Sequence, residues 1–303
     1  MMSQLRELSL LFRDHRTYSR RRTVPVRRAF NKVYKLLRLP TYLERRRLIA
    51  AIPGNKDFAI PEEKGFILWH PKSFPLLDQA IAEGKELFAG ADIDALKKKI
   101  PEDSSFGTVP FALDPDSAIA KLAVEPRLLR PFAEYLGSVP LLHYVQLIYS
   151  PNERQAAGSA QLFHLDGQDV RSLQVFVYLD DVTEENGPVT VLAARASERV
   201  ARALRYRKTP TTKRVTDEVV KGLVNESDLE VMTGKAGSIC IFDGDRCFHF
   251  GSRKGTKPRR ILHYEYVTAF AFTLPSPYWS RDNFAHLRRP NTPAWQRGVL
   301  GKP

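Results

Sequence analysis

The stretch RSLQVFVYLDDVTEENGPVTVLA, residues 171–193, holds two short runs of β-branched and aromatic residues on either side of a turn signal, TEENGP (183–188). Side chains in such runs alternate between two faces, and Asn, Gly and Pro together break the extended backbone. The same texture continues in both directions. LLHYVQLIYS (141–150) and AQLFHLD (160–166) come before it. GSICIFD (237–243) and RRILHYEYVTAFAF (259–272) come after, and DGDR (243–246) is a second strong turn signal. Short strands in this number, without the alternating helices of a βαβ chain, argue for an antiparallel sandwich or jelly roll. The expected fold class is mainly β with flanking helices around a jelly-roll, cupin-like core.

The flanks read differently. GFILWH (65–70) is a short strand, and helices are expected over 75–88, 92–100 and 116–136. A polar, helix-prone insertion lies between Ala194 and Glu230, and the Pro-rich last ~30 residues are expected to wrap the surface. Residues 1–52 look like basic helices. Val26, Phe30, Val33 and Leu37 recur at helical spacing, with Arg27, Arg28, Lys32, Lys35 and Arg38 on the other faces. Pro25 suits a helix start and Pro40 ends the pattern. Two regions follow: a basic helical N-terminal extension, 1–52, and a jelly-roll domain with helical support and a C-terminal tail, 53–303.

Charge is concentrated at one end. Residues 1–48 carry 14 Lys and Arg against Glu7, Asp14 and Glu44, which is nearly all of the formal +13 of the chain. One reading is a helix docked on its own domain through the apolar stripe. The other is an amphipathic segment on an anionic membrane or glycolipid. Nucleic acid is disfavoured as a partner, because no aromatic-basic RNA motif accompanies the charge. No apolar run approaches the ~20 residues of a membrane span, and no continuous apolar segment of a secretory signal is present. Cys240 and Cys247 are too few for a disulfide framework and form no C-x-x-C. The cytoplasm is the expected location, with a peripheral place at the membrane as its refinement.

FHLDGQD (163–169) raises the chemical question. Seven histidines in this composition give about 0.4 His-x-Asp triplets by chance, so the triplet alone decides nothing. On a strand, however, His164 and Asp166 share a face, as two ligands of one ion must. A third ligand has to come from elsewhere, and His249 in DGDRCFHFGSRKG is the best candidate. Two histidines and one carboxylate on one face of a metal make the donor set of non-haem Fe(II) oxygenases, which leaves positions for a keto acid and O2. The far carboxylate of a keto acid calls for a cation, and a guanidinium suits it best.

FHLDGQDVRSLQVFVYLDDVTEENGPVTVLAARASE, followed by GSICIFDGDRCFHFGSRKGTKPRRILHYEY, resembles the phytanoyl-CoA dioxygenase family. The resemblance covers roughly residues 60–270 and includes GFILWHPKSF near its start. It implies a double-stranded β-helix and an Fe(II)- and 2-oxoglutarate-dependent oxygenase that uses O2. It also implies that His164, Asp166 and His249 hold the metal. An arginine about eleven positions after the distal histidine is implied to hold 2-oxoglutarate. That position is Arg260, which shares a face with Leu262, Tyr264 and Tyr266, and Arg259 is the fallback. Gln146 is a further cosubstrate contact on this reading. The chain departs from the family at Ala193–Ser197, where Pro-Gly-Ser-His is common. It departs again at Gly251, where a small hydroxyl residue is usual and here comes one position later, at Ser252. Asp166 argues against halogenation, because halogenases of the superfamily replace this carboxylate with Gly or Ala.

His263 and Glu265 form a second His-x-acid pair out of family order, read as the outer face of the last core strand. His143, His70 and His15 lack nearby acids in sequence. The expected activity is hydroxylation of a small molecule or glycolipid, anionic or membrane-associated. The alternative is a non-catalytic jelly-roll module whose basic arm binds anionic surfaces.

Overall fold

The computed structural model describes residues 14–54, 57–71, 74–102, 104–152, 159–207, 214–272 and 284–301. Nine strands appear among these residues: β1 (Phe66–Trp69), β2 (Gly107–Val109), β3 (Leu141–Ser150), β4 (Ser172–Tyr178), β5 (Thr190–Leu192), β6 (Leu229–Val231), β7 (Ile239–Asp243), β8 (His249–Phe250) and β9 (Arg259–Val267). They pair antiparallel in a six-stranded sheet, β1-β7-β4-β9-β3-β2, and a three-stranded sheet, β6-β5-β8. This is the double-stranded β-helix, mainly β at its core with flanking helices.

Alternation along each strand of the large sheet separates two environments. Leu147 and Tyr149 of β3, Leu173, Val175 and Val177 of β4, Ile239 and Ile241 of β7, and Leu262, Tyr264 and Tyr266 of β9 form one continuous apolar core with the helices. Leu77 and Ala80 of helix Pro75–Ala89 and Leu128, Leu129 and Phe132 of helix Pro126–Leu136 complete it. Each such fully buried side chain contributes roughly 1.5–3 kcal/mol. The Tyr264 and Tyr266 hydroxyls donate to the carbonyls of Ile119 (2.9 Å) and Ala123 (2.8 Å) and strap this layer to the sheet. The opposite face looks across to the small sheet. There Ile148, Tyr178, Cys240, Phe242 and Ile261 pack with Val191 and Met232.

Several sequence expectations change here. The helix over 116–136 is two helices, Ala118–Leu122 and Pro126–Leu136, because Pro126 cannot continue the first and starts the second. Residues 160–166 make isolated bridges instead of a strand. The C-terminal tail does more than wrap the surface: helix Ala294–Leu300 buries Trp295, Val299 and Leu300 in the main core. Residues 273–283 lie outside the described residues.

The N-terminal helices depart most. Helix Val24–Leu37 buries Arg27 and Asn31, while Val26, Val33 and Leu37 of the apolar stripe face outward. The reason is electrostatic. Arg27 reaches Asp245 (2.8 Å) and the Asp169 carbonyl, and Asn31 donates to Asp169 Oδ1 (3.1 Å). Asp169 and Asp245 are buried carboxylates, which are costly without such donors. Arg45, on helix Leu39–Arg47, similarly donates to the carbonyls of Val139, Pro140 and Gly298.

Candidate active site between the two sheets

His164 and His249 are brought together by the backbone. Each donates its N–H to the other's carbonyl at 3.1 Å, a one-pair antiparallel bridge that ties the loop before β4 to β8. Their rings lie 4.3 Å apart between centroids. Asp166 is fixed by its own N–H donating to the Gly244 carbonyl (2.8 Å) in the turn after β7. Asp166 Oδ1 then stands 3.7 Å from His164 Nε2 and 3.6 Å from His249 Nε2. One ligand atom from each residue falls within 4.8 Å of the others.

The imidazole tautomers follow from the partners of the other nitrogens. His164 Nδ1 faces the Leu162 carbonyl at 2.8 Å and His249 Nδ1 the Cys247 carbonyl at 2.9 Å. A carbonyl only accepts, so each Nδ1 carries the hydrogen and each Nε2 presents a lone pair. Burial, reinforced by the neighbouring His249, holds His164 well below the ordinary histidine range and so keeps it neutral. Two imidazole lone pairs and a carboxylate oxygen converging on one point fit a divalent first-row transition ion. Gly244 is required for this arrangement, because a Cβ there would lie 2.0 Å from Asp166 Oδ2.

A buried polar network stands behind Asp166. Gln174 Nε2 donates to Asp166 Oδ2 (2.9 Å) and Glu265 Oε1 (2.7 Å), and Gln174 Oε1 accepts from His263 Nε2 (2.6 Å). Glu265 also bonds His143 Nδ1. Burial lowers His263 to about 3 and raises Glu265 above the usual carboxylate range. His263 and Glu265 therefore do not form the outer face of the last strand. They line the interior directly behind the metal-ligand candidates, and His143 is their partner.

Beside the three ligands is a cavity of about 160 Å³, with Phe106, Phe176, Phe242 and Ile261 among its apolar walls. Gln146 and Arg259 lie on this wall; Arg260 does not. Arg260 points the other way, over the Phe88 ring, and forms a two-pronged ion pair with Asp180 (2.7 and 2.9 Å). The alternation read from the sequence was correct, but the inward face is the polar one. Arg259 is only 6% exposed. Its guanidinium donates to Ser252 Oγ (2.9 Å) and the Gly187 carbonyl, and Ser252 Oγ donates to Ser150 Oγ (3.0 Å). Ser252, one position after Gly251, thus places a hydroxyl against this guanidinium. Arg259 Nε is buried without a partner, and no carboxylate side chain pairs with this guanidinium among the described residues. A buried cation in that state is costly until a counter-charge meets it.

Solved structures share this fold. EctD from S. alaskensis in its apoform has a TM-score of 0.51 at 20% identity, over 72% of this chain and 79% of that one. EctD from S. alaskensis with bound Fe also has a TM-score of 0.51 at 20% identity, over 80% and 84%. The epimerase SnoN in complex with Fe3+, alpha ketoglutarate and nogalamycin RO is somewhat less similar, with a TM-score of 0.49 at 20% identity over 87% and 96%. No family model and no curated protein matches the sequence.

Gln174, Ser150 and the network of His143, His263 and Glu265 stand at the site without a motif that marks them in the sequence, and Arg259 lines the cavity where Arg260 was expected. One available signal was the polar row Arg259, His263 and Glu265 in a sheet whose other face is mainly apolar. A polar row on a strand buried on both faces marks an enclosed polar interior.

Proposed function

We propose that this chain is an Fe(II)- and 2-oxoglutarate-dependent oxygenase of the phytanoyl-CoA dioxygenase type that hydroxylates a small molecule. The observation that carries the reading is the meeting, at one cavity, of the His164, Asp166 and His249 donors with the Arg259 guanidinium, which pairs with no carboxylate among the described residues. The resemblance of the surrounding motifs to that family supports it, as does a neighbour of the same fold that holds Fe. His164, Asp166 and His249 would hold the iron. Bound there, iron with 2-oxoglutarate and O2 supplies oxidative decarboxylation to succinate and CO2 coupled to attack on a substrate C–H bond.

The protein's part is positioning and exclusion of water. Arg259, steadied by Ser252 and the Gly187 carbonyl, pairs with the distal carboxylate of 2-oxoglutarate, and Gln146 contributes a polar contact on the same wall. Gln174 holds Asp166 in its ligating rotamer. The aromatic walls keep the cavity dry. A cavity of this size accommodates a small diacid and leaves the primary substrate to approach from outside it. The test needs no substrate: succinate formed from 2-oxoglutarate with Fe(II), ascorbate and O2. Wild type is expected to turn over slowly without substrate, and His164→Ala to be inactive. Equal succinate from both proteins would leave the non-catalytic module as the better reading.

A peripheral contact with an anionic membrane surface belongs to the same proposal. No helix among the described residues is long and apolar enough to cross a membrane. Leu36 and Leu37, however, are 69% and 77% exposed, and Leu39 and Leu43 are also outward. Exposed Lys32, Arg46 and Arg47 lie on the same two helices. Apolar residues among cations suit the boundary of an anionic bilayer. Sedimentation with phosphatidylglycerol-containing vesicles is expected for wild type and lost in Leu36→Glu/Leu37→Glu. Equal sedimentation of the two would refute the contact.

A further inference from the structure

Several of the described arginines are matched by carboxylates. Arg27 pairs with Asp245, Arg28 with Glu198, Arg171 and Arg246 with Glu62, Arg253 with Asp217 and Arg260 with Asp180. Two guanidiniums beside the metal-ligand candidates are not. Arg214 and Arg20 have no carboxylate within ion-pair distance among the described residues, although burial lowers both below the ordinary arginine value.

Their placement is set by backbone pairing. Phe163 and Val215 exchange both hydrogen bonds of an antiparallel pair, at 3.1 and 2.8 Å. One step along that register, the residue opposite His164 is Arg214, and opposed residues of an antiparallel pair project to the same face. The charges agree with this position: Arg214 is among the groups acting on His164, and Asp166 acts on Arg214. Arg20 arrives from helix His15–Arg20 and donates Nε to the Gly167 carbonyl (2.9 Å), the residue after Asp166. Asp245 is the foremost charge felt by Arg20, followed by Arg27, Asp166 and Glu265, and Asp245 itself is already taken by Arg27. The two cations therefore flank the segment from His164 to Gly167. Neither lines the cavity that carries Arg259, so both stand outside the space assigned to the cosubstrate.

We infer that Arg214 and Arg20 form the anchor for an oxyanion of the primary substrate, a phosphate, sulfate or carboxylate group on a small molecule whose reacting carbon extends from there toward His164, Asp166 and His249. The inference rests on the oxygenase reading for the identity of the site. Its physical basis is charge balance. An Fe(II), one aspartate, doubly charged 2-oxoglutarate and Arg259 sum to neutrality, which leaves two desolvated guanidiniums to be matched by the substrate. A planar guanidinium matches such oxyanions in two-pronged fashion, and a neutral substrate would give neither an anionic partner.

The test uses the full chain loaded anaerobically with Fe(II) and 2-oxoglutarate, with glycerol 3-phosphate as the probe and neutral glycerol as its control. Binding is followed by calorimetry and, separately, by perturbation of the visible metal-to-ligand band. Saturable binding of glycerol 3-phosphate, about tenfold or more tighter than glycerol, is expected in wild type. Arg214→Gln and Arg20→Gln are each expected to weaken it about tenfold, with Fe(II) and 2-oxoglutarate affinities unchanged and Arg214→Lys between the two. Displacement of the probe by phosphatidylglycerol vesicles would make the source a lipid headgroup, and no displacement a free anionic metabolite; either outcome is consistent with the site. Glycerol 3-phosphate that binds no better than glycerol, or equally well in the Gln variants, overturns it. Failure of the band to form in folded wild type would instead count against the oxygenase reading, and the calorimetric result stands whether or not a band appears.

Discussion

Arg259 and Arg260 are adjacent in sequence and have opposite fates. Arg260 lies on the face of β9 that carries Leu262, Tyr264 and Tyr266, which pack against helices, and it ends in a half-exposed ion pair with Asp180. Arg259 lies on the face of Ile261, His263 and Glu265, enclosed between the two sheets, and forms no ion pair with an acid among the described residues. The apolar face of this strand builds stability, and the polar face builds a site. Farther along the strand burial does not separate the two faces, because Leu262, Tyr264 and Tyr266 are as shielded from water as His263 and Glu265. What separates them is the presence or absence of a protein counter-charge.

Gly244→Ala is expected to damage the polar side most. The added Cβ would displace Asp166 Oδ2, the end of a movable side chain, so Fe(II) binding should be lost while the melting temperature changes little. Dialysis against Fe(II) with metal analysis, beside a thermal melt, reads both effects. Next comes the arginine pair itself. Arg259→Gln should weaken 2-oxoglutarate about 100-fold, since a two-pronged charged contact is worth roughly 3 kcal/mol, and leave Fe(II) in place. Arg260→Gln should leave both unchanged and cost at most about 1 kcal/mol of stability, as a partly exposed pair does. The reverse ranking in an anaerobic binding titration would invert the assignment of the two faces.

A smaller effect is expected at Gln174→Ala, which frees Asp166 Oδ2 and Glu265 Oε1 together. Loss of such a supporting bond typically weakens metal binding roughly 10- to 100-fold, and the wild-type geometry of the three ligands should otherwise persist.

The smallest concerns pH. Folding holds His263 near 3, whereas an unfolded histidine titrates near 6.5, so the unfolded chain takes a proton that the folded one refuses. This contribution is fully present above the unfolded value and is lost as pH falls from about 6.5 toward 3, at about 1.4 kcal/mol per unit. Melting curves of His263→Asn between pH 7 and 4.5 should show a shallower acid slope than wild type. A slope identical to wild type would mean that His263 is not held neutral by the fold.

Much of this was legible in the sequence, because spacing carries information about contact. His164 and Asp166 share parity, His249 follows a tight turn, and the strands announce themselves by β-branched runs. The orientation of β9 was not legible. Alternation divides Arg259 from Arg260 but does not say which face is inward, and the usual rule that the apolar face goes inside fails when helices cover the outer face and a polar cavity fills the inner one. The N-terminal helix misled for a related reason. One of the two readings of its apolar stripe was docking through Val26, Phe30, Val33 and Leu37, but Arg27 and Asn31 dock instead, drawn by the buried carboxylates Asp169 and Asp245, while Val26, Val33 and Leu37 face outward. Those acids lie far away in the chain, and nothing local to the helix points to them.

The most direct measurement is an anaerobic titration of metal-free protein with Fe(II) and 2-oxoglutarate, followed by visible absorbance. A metal-to-ligand charge-transfer band is expected in wild type and in Arg260→Gln. It should be absent in His164→Ala and need far more 2-oxoglutarate in Arg259→Gln. No band in folded wild-type protein, or a band that survives His164→Ala, would contradict a metal centre built from His164, Asp166 and His249.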